Sequence, residues 1–187
     1  MSDNFQILAF DTVTTGEAPG VVETALGWMK AEGIIDSTPT DCVLGESFGF
    51  RPGPNWSDVV EHPGNLRGFL TLWTNGVHAE ARRVVCAFGE LLTGFRTGVC
   101  PACGAEAEPQ KDIVELAAAW YERRDSDLQC PICSTASRLE DWDFQPFWAF
   151  AEAAVTFWNW PPLSEKFIAN LVTRLSVPRV RHVVGRL

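Results

Sequence analysis

The spacing of apolar positions predicts a strand at the start of the chain, over the short apolar run Phe5 to Phe10. A loop follows from Thr14 to Pro19. From Gly20, the apolar positions Val22, Ala25, Leu26 and Met29 recur at helical spacing, with Pro19 suited to the first turn and Gly33 to the stop. Asp41 to Leu44 reads as a short buried strand. Phe50-Arg51-Pro52-Gly53-Pro54-Asn55 is dense in turn formers and is expected to lie outside any sheet interior. Phe69 to Trp73 and Val77 to Val85 are strand-like, and Asn75-Gly76 between them predicts a hairpin closed by a type I′ turn. From Ala87 to Gly98 the pattern favours no one element.

In the second half, Ile113, Leu116, Ala117 and Trp120 mark one face of a helix over about residues 111–124. Acids come early (Glu108, Asp112, Glu115) and Arg123-Arg124 late, an order that complements the helix dipole. Phe147, Phe150, Ala151, Ala154 and Trp158 fit the face of a second helix, preceded by Asp143 as its cap. Ser164 caps a third helix running through Leu171 and Leu175; Pro178 stops it, and Arg179 to Val184 reads as a last strand. No long-period repeat appears, and the one internal echo is a Cys-Pro-x-Cys unit that occurs twice. The fold class expected is α+β, mixed helices and antiparallel strands around an aromatic core. Residues 1–97 form an α+β part, residues 98–136 a cysteine-bearing insertion, and residues 137–187 pack back onto the N-terminal part as one compact unit.

Composition narrows the class. A chain of 187 residues can bury a core without disulfides, and 46% hydrophobic against 21% charged residues excludes a disordered polymer. The apolar stretch from Phe144 to Leu163 has the length of a membrane span, but Glu152 lies inside it and Asn159, Pro161 and Pro162 end it. The start, Met1-Ser2-Asp3-Asn4, is acidic and polar where a secretory leader needs basic then apolar residues, so a cytoplasmic protein is expected. The net charge of −9 argues against a bulk nucleic-acid or anionic-membrane binder. The charge is uneven: residues 1–50 carry −7 and residues 100–146 carry −6, while residues 147–187 carry +3. Eight Trp and twelve Phe point to a large aromatic core, with an exposed aromatic interface as the alternative.

The sharpest chemistry lies in the cysteines. Cys100-Pro101-Ala102-Cys103-Gly104 and Cys130-Pro131-Ile132-Cys133 place two Cys-x-x-Cys pairs 26 residues apart. A two-residue spacer lets both sulfurs of a pair reach one ion from a tight turn, whose backbone N–H groups offset the thiolate charge. Two such turns face to face supply four sulfurs, a set that suits zinc. In a reducing compartment a metal is favoured over a disulfide framework. A redox dithiol needs a helix opening directly after the pair, and here Gly104 and Pro109 delay one. These residues resemble the two knuckles of a zinc ribbon, over about residues 98–136 and no further. The resemblance implies one structural zinc held by Cys100, Cys103, Cys130 and Cys133. It departs from a simple ribbon in the helix expected between the knuckles.

Other candidates read as structural. Cys42 and Cys86 sit in apolar strand contexts and are expected to be buried, inert thiols. His62, His78 and His182 have no ligand spacing, and none pairs with a cysteine from sequence. Glu140, Asp141 and Asp143 surround Trp142 and are expected in a solvated turn. Gly49 to Asn55 lacks the Lys-Ser/Thr of a phosphate loop. Arg174, Arg179, Arg181 and Arg186 form a basic cluster expected to balance the acidic N-terminal region within the fold. No catalytic or cofactor-binding set is assigned. The sequence therefore favours a zinc-stabilised, non-enzymatic protein-binding or adaptor protein. The alternatives are a nucleic-acid-associated zinc ribbon, which the acidic cysteine segment opposes, or an enzyme assembled from Asp141, Asp143, His62, His78 or Arg51.

Overall fold

A computed structural model describes residues 3–64, 66–87, 97–108, 113–124, 126–145 and 148–187. The expected Phe147 contact, the start of the helix at Lys111 and most of the undecided Ala87–Gly98 stretch lie outside these residues. Among the described residues the elements in chain order are β1 (Asn4–Ala9), α1 (Ala18–Ala31), β2 (Ile35–Thr40), β3 (Gly49–Pro52), β4 (Val77–Glu80), β5 (Val84–Ala87), β6 (Thr97–Val99), β7 (Glu106–Ala107), α2 (Ile113–Tyr121), β8 (Leu128–Gln129), β9 (Ala136–Ser137), β10 (Asp143–Gln145), β11 (Trp148–Ala151), β12 (Ala154–Trp158), α3 (Glu165–Leu175) and β13 (Arg181–Arg186). The fold class is α+β, rich in antiparallel strands.

Six strands form the larger sheet in the order β13-β1-β12-β4-β3-β2. Strand alternation divides β1 between two faces. Leu8 faces a core completed by Val77, Val155 and Phe157 from neighbouring strands, Met29 from α1, and Phe167 and Leu171 from α3. Both helices form where the apolar spacing places them. Pro19 lies in the first turn of α1, and the Ser164 hydroxyl accepts from the Phe167 N–H at 3.2 Å to cap α3. On the opposite face, Ile7, Ala9 and Val183 meet Val84, Cys86, Ala149 and Ala151 of β5 and β11. These two strands belong to a second sheet, in the order β5-β11-β10-β6-β7, and the short side chains at the contact let the two sheets approach closely. A second core, built from Leu116 and Trp120 of α2 with Leu128, Leu139, Trp142, Phe144, Trp148 and Phe150, lies beyond this contact.

Five expectations are corrected, the last of them the hairpin. The helix expected through Phe150, Ala151, Ala154 and Trp158 is two strands, β11 and β12, split by Glu152 and sent to different sheets. Every residue of both strands is buried, so the run is apolar on both faces and carries no strand alternation. Asp143 accordingly caps no helix; it lies in β10, opposite Val99. The first three residues of the Phe50–Asn55 stretch do enter the sheet: β3 lies between β4 and β2, with Phe50 opposite Val77 and Pro52 closing the strand opposite Ile35. The expected strand at Asp41–Leu44 is irregular, and β2 forms upstream of it.

The hairpin expected around Asn75-Gly76 does not form. Residues Leu66–Thr71 are a 3-10 helix, and β4 pairs with β12 and β3. Asn75 and Gly76 instead donate their N–H groups to the Cys42 carbonyl at 3.1 and 2.9 Å. The Asn75 side chain accepts from Arg51 at 2.8 Å and donates to the Phe69 carbonyl at 3.1 Å. A Cβ on Gly76 would lie 2.2 Å from Cys42 Sγ and 2.9 Å from its carbonyl oxygen, so glycine is required here for close approach. The substitution Gly76→Ala is expected to destabilise the protein by roughly 1–3 kcal/mol through this overlap. Urea unfolding monitored by tryptophan fluorescence measures it; an unchanged midpoint would show that the loops accommodate the methyl group.

Candidate metal centre

Each cysteine pair caps a short ribbon of paired strands. β6 pairs with β7, Val99 opposite Glu106, and β8 pairs with β9, Gln129 opposite Ala136. The two turns repeat one hydrogen-bond pattern. In the first, the Cys100 N–H donates to the Ala105 carbonyl and the Gly104 N–H to the Cys100 carbonyl, both at 2.9 Å. In the second, Cys130 and Ser134 do the same with Thr135 and Cys130 at 3.0 and 2.9 Å. The N–H groups of Ala102 and Ile132 point at the sulfurs of Cys100 and Cys130, each at 3.4 Å. The turn requires a left-handed residue after the second cysteine: Gly104 takes φ +70° and Ser134 takes φ +61°. Glycine marked this position in the first knuckle; serine concealed it in the second.

The structure brings the four sulfurs together, all within 4.8 Å of one another. Cys100 Sγ lies 3.9 Å from Cys133 Sγ, and Cys103 Sγ lies 3.8 Å from Cys130 Sγ. Four sulfurs at about 2.3 Å from a tetrahedral ion are about 3.8 Å apart, so the set fits a single metal ion. The inner sulfurs belong to the second core, Cys100 and Cys130 being packed with Trp142, Leu128 and Leu139. Cys103 and Cys133 face solvent. This division ties any bound ion to the hydrophobic packing of the module on one side only.

Electrostatics inside the cluster are uneven. The hydroxyl and N–H of Thr135 favour the Cys133 thiolate and push its pKa down to about 6. At Cys103 the Ala105 N–H also favours the thiolate, but local desolvation and the three neighbouring sulfurs outweigh it and push the thiol up. Four thiolates this close require a cation among them, so binding a metal releases the protons that the cluster otherwise keeps.

The remaining candidates are engaged elsewhere. Cys42 and Cys86 are buried, and burial pushes the Cys86 thiol up, away from reactivity. His62 lies exposed in an irregular segment. Asp141 is held by Arg138 at 2.9 Å and Asp143 by Arg181 at 2.6 Å, while Arg51 supports Asn75. His182 Nε2 lies 3.2 Å from Gln6 Oε1. Of the five residues considered for an enzyme, Asp141, Asp143, Arg51 and His78 thus have different partners: Arg138, Arg181, Asn75 and Trp158. The basic cluster is used internally: Arg179 and Arg181 both reach the buried Asp11 carboxylate, at 2.7 and 2.6 Å, and Arg174 reaches Glu32 at 3.6 Å.

Sequence reasoning missed two arrangements. One is a seam between the sheets: Glu152, in the turn between β11 and β12, pairs with Arg83 at 2.7 Å and Arg123 at 3.2 Å. Burial alone would raise the Glu152 pKa, but the two guanidinium groups outweigh it and hold the carboxyl below its usual range. Arg83 also stacks on Trp120 of α2, 4.4 Å from the ring centroid. The other is a His78–Glu80–Trp158 array on the open face of the larger sheet, assembled by strand pairing that no local pattern reveals. No protein-family model matches the chain, and no curated protein or solved structure matches it either.

Proposed function

We propose that Cys100, Cys103, Cys130 and Cys133 hold one structural zinc ion, and that the protein is a protein-binding or adaptor protein of the cytoplasm. The spacing of the four sulfurs carries the metal reading. Both measured cross-knuckle distances agree with a tetrahedral sulfur site of zinc dimensions. Four protein ligands fill such a site, so the ion's role is to neutralise the thiolates and fasten the two knuckles to one another. Free thiols at these separations are in keeping with a reducing compartment. No helix among the described residues is long and apolar enough to cross a membrane.

The partner reading rests on exposed aromatic and aliphatic side chains in two neighbouring loops. Cys42 accepts the backbone N–H groups that join the 41–48 loop to the 72–76 loop. These loops carry Phe48 at 58% and Trp73 at 69% exposure, with Leu70 exposed just before them. Large aromatics left in water at this level are characteristic of protein-contact surfaces. The net acidity of the chain favours a protein partner over nucleic acid.

Two measurements test this. Protein purified without added zinc is expected to contain about one zinc per chain, and Cys100→Ser or Cys130→Ser to lose both the metal and the stability it confers. Wild-type protein free of metal, or holding iron in its place, would overturn the assignment. Separately, a partner retained from native lysate by the wild-type chain is expected to be lost on Trp73→Ser, a change at an exposed position that leaves the unfolding midpoint unchanged. Equal retention by both would place the interface elsewhere.

A further inference from the structure

The face of the larger sheet opposite α1 and α3 is covered over only part of its width by the second sheet. There β1, β4 and β12 floor a pocket of about 260 Å³, bordered by Val84 of β5 and by residues 44–46. Strand register decides what lines it. His78 and Glu80 alternate onto this face of β4, opposite Thr156 and Ala154 of β12, and Phe5 of β1 stands opposite Trp158. Phe5, Ile7, Leu44 and Trp158 give it apolar wall, and Glu46, His78, Glu80 and Arg82 its charged and polar lining.

Those polar groups are held in a defined state. The Trp158 indole N–H donates to His78 Nδ1 at 3.3 Å, so a neutral His78 carries its own proton on Nε2. Nε2 lies 3.8 Å from Glu80 Oε2, too far for a hydrogen bond, although the two side chains are only 9% and 13% exposed. The other carboxylate oxygen, Oε1, accepts from Arg82 Nε at 2.8 Å, and Arg82 extends to Glu46 in the loop. Burial alone would raise the Glu80 pKa, but its interactions with His78 and Arg82 outweigh this and hold the carboxyl below its usual range. A donor and an anionic acceptor therefore face each other across a gap, each with capacity to spare.

One oxygen atom can reach both groups from beside the line that joins them. Placed about 2.8 Å from both Nε2 and Oε2, it accepts from the imidazole and donates to the carboxylate, which only a group with a lone pair and an O–H can do. A water satisfies the two contacts, but at about 30 Å³ per water it leaves most of the pocket, and all of its apolar wall, without a partner. We propose that this pocket binds a small uncharged molecule with a hydroxyl on an apolar ring, a phenol or cyclic alcohol. The hydroxyl bridges His78 and Glu80, and the ring lies against Trp158, Phe5 and Ile7. The site is separate from the cysteine cluster and does not depend on the metal reading.

The test uses the full-length, metal-replete chain labelled with nitrogen-15 and titrated with phenol, anisole, toluene and benzylamine. Phenol is expected to shift the Trp158 indole and His78 imidazole signals. Anisole, which cannot donate, and toluene, which can neither donate nor accept, are expected to bind on the order of tenfold more weakly or less. Glu80→Gln is expected to lower phenol affinity by a similar factor while preserving the dispersion of the spectrum. Should that variant fail to fold, the phenol–anisole–toluene comparison on the wild-type chain decides alone. Equal binding of phenol and toluene, tighter binding of the cation benzylamine, or no shift of the two signals would overturn the proposal.

Discussion

Four sulfurs within 4.8 Å of one another impose the constraint on which the second half of the fold depends. As thiolates they repel, and in a partly buried setting the repulsion is weakly screened. The cluster must therefore keep protons or hold a cation. The strands that carry it cannot absorb the strain: β7, β8 and β9 are two residues each, well short of an independently stable ribbon. The knuckles hold their shape because the inner sulfurs are packed into the aromatic core and the backbone N–H groups of each turn point at them. A metal ion held here would join two chain segments 26 residues apart. Metal binding and folding of the module would then be one process.

The larger sheet carries none of these four cysteines. Its core is fed by two amphipathic helices and by strands paired along their length, β1 matching β12 and β13 over five and six residue pairs. The two bodies meet across a contact of small side chains and an ion-paired seam in which Glu152 serves both Arg83 and Arg123. A half-buried carboxylate between two arginines adds little net stability but resists wrong registers, since displacing it leaves a charge unpaired. Arg181 spans the same boundary at the other end, joining Asp11 of the larger body to Asp143 of β10.

What the sequence revealed follows from which forces leave local traces. The helices α1 and α3 were legible because each buries one face and carries its own start and stop signals, Pro19 and Ser164 among them. The cysteine pairs were legible because chelation from a turn demands fixed spacing. The segment from Trp148 to Trp158 was not, because strands buried on both faces lose the alternation that distinguishes them from a core helix. Asn75-Gly76 misled for a related reason. Glycine there answers a tertiary demand, room for Cys42, which has the same appearance in sequence as a turn. Alternation alone places His78 and Glu80 on one face of a strand; that Trp158 fixes the histidine tautomer is a consequence of pairing between residues 80 apart.

If a bound metal at the cysteine cluster holds the second body together while the larger sheet folds on its own packing, a zinc chelator separates the two in hydrogen exchange of the 187-residue chain. Chelation is expected to strip protection from the amides of β6, α2 and β8 while those of β1, β12 and α3 keep theirs. Uniform loss across both bodies, or no change in either, would contradict it.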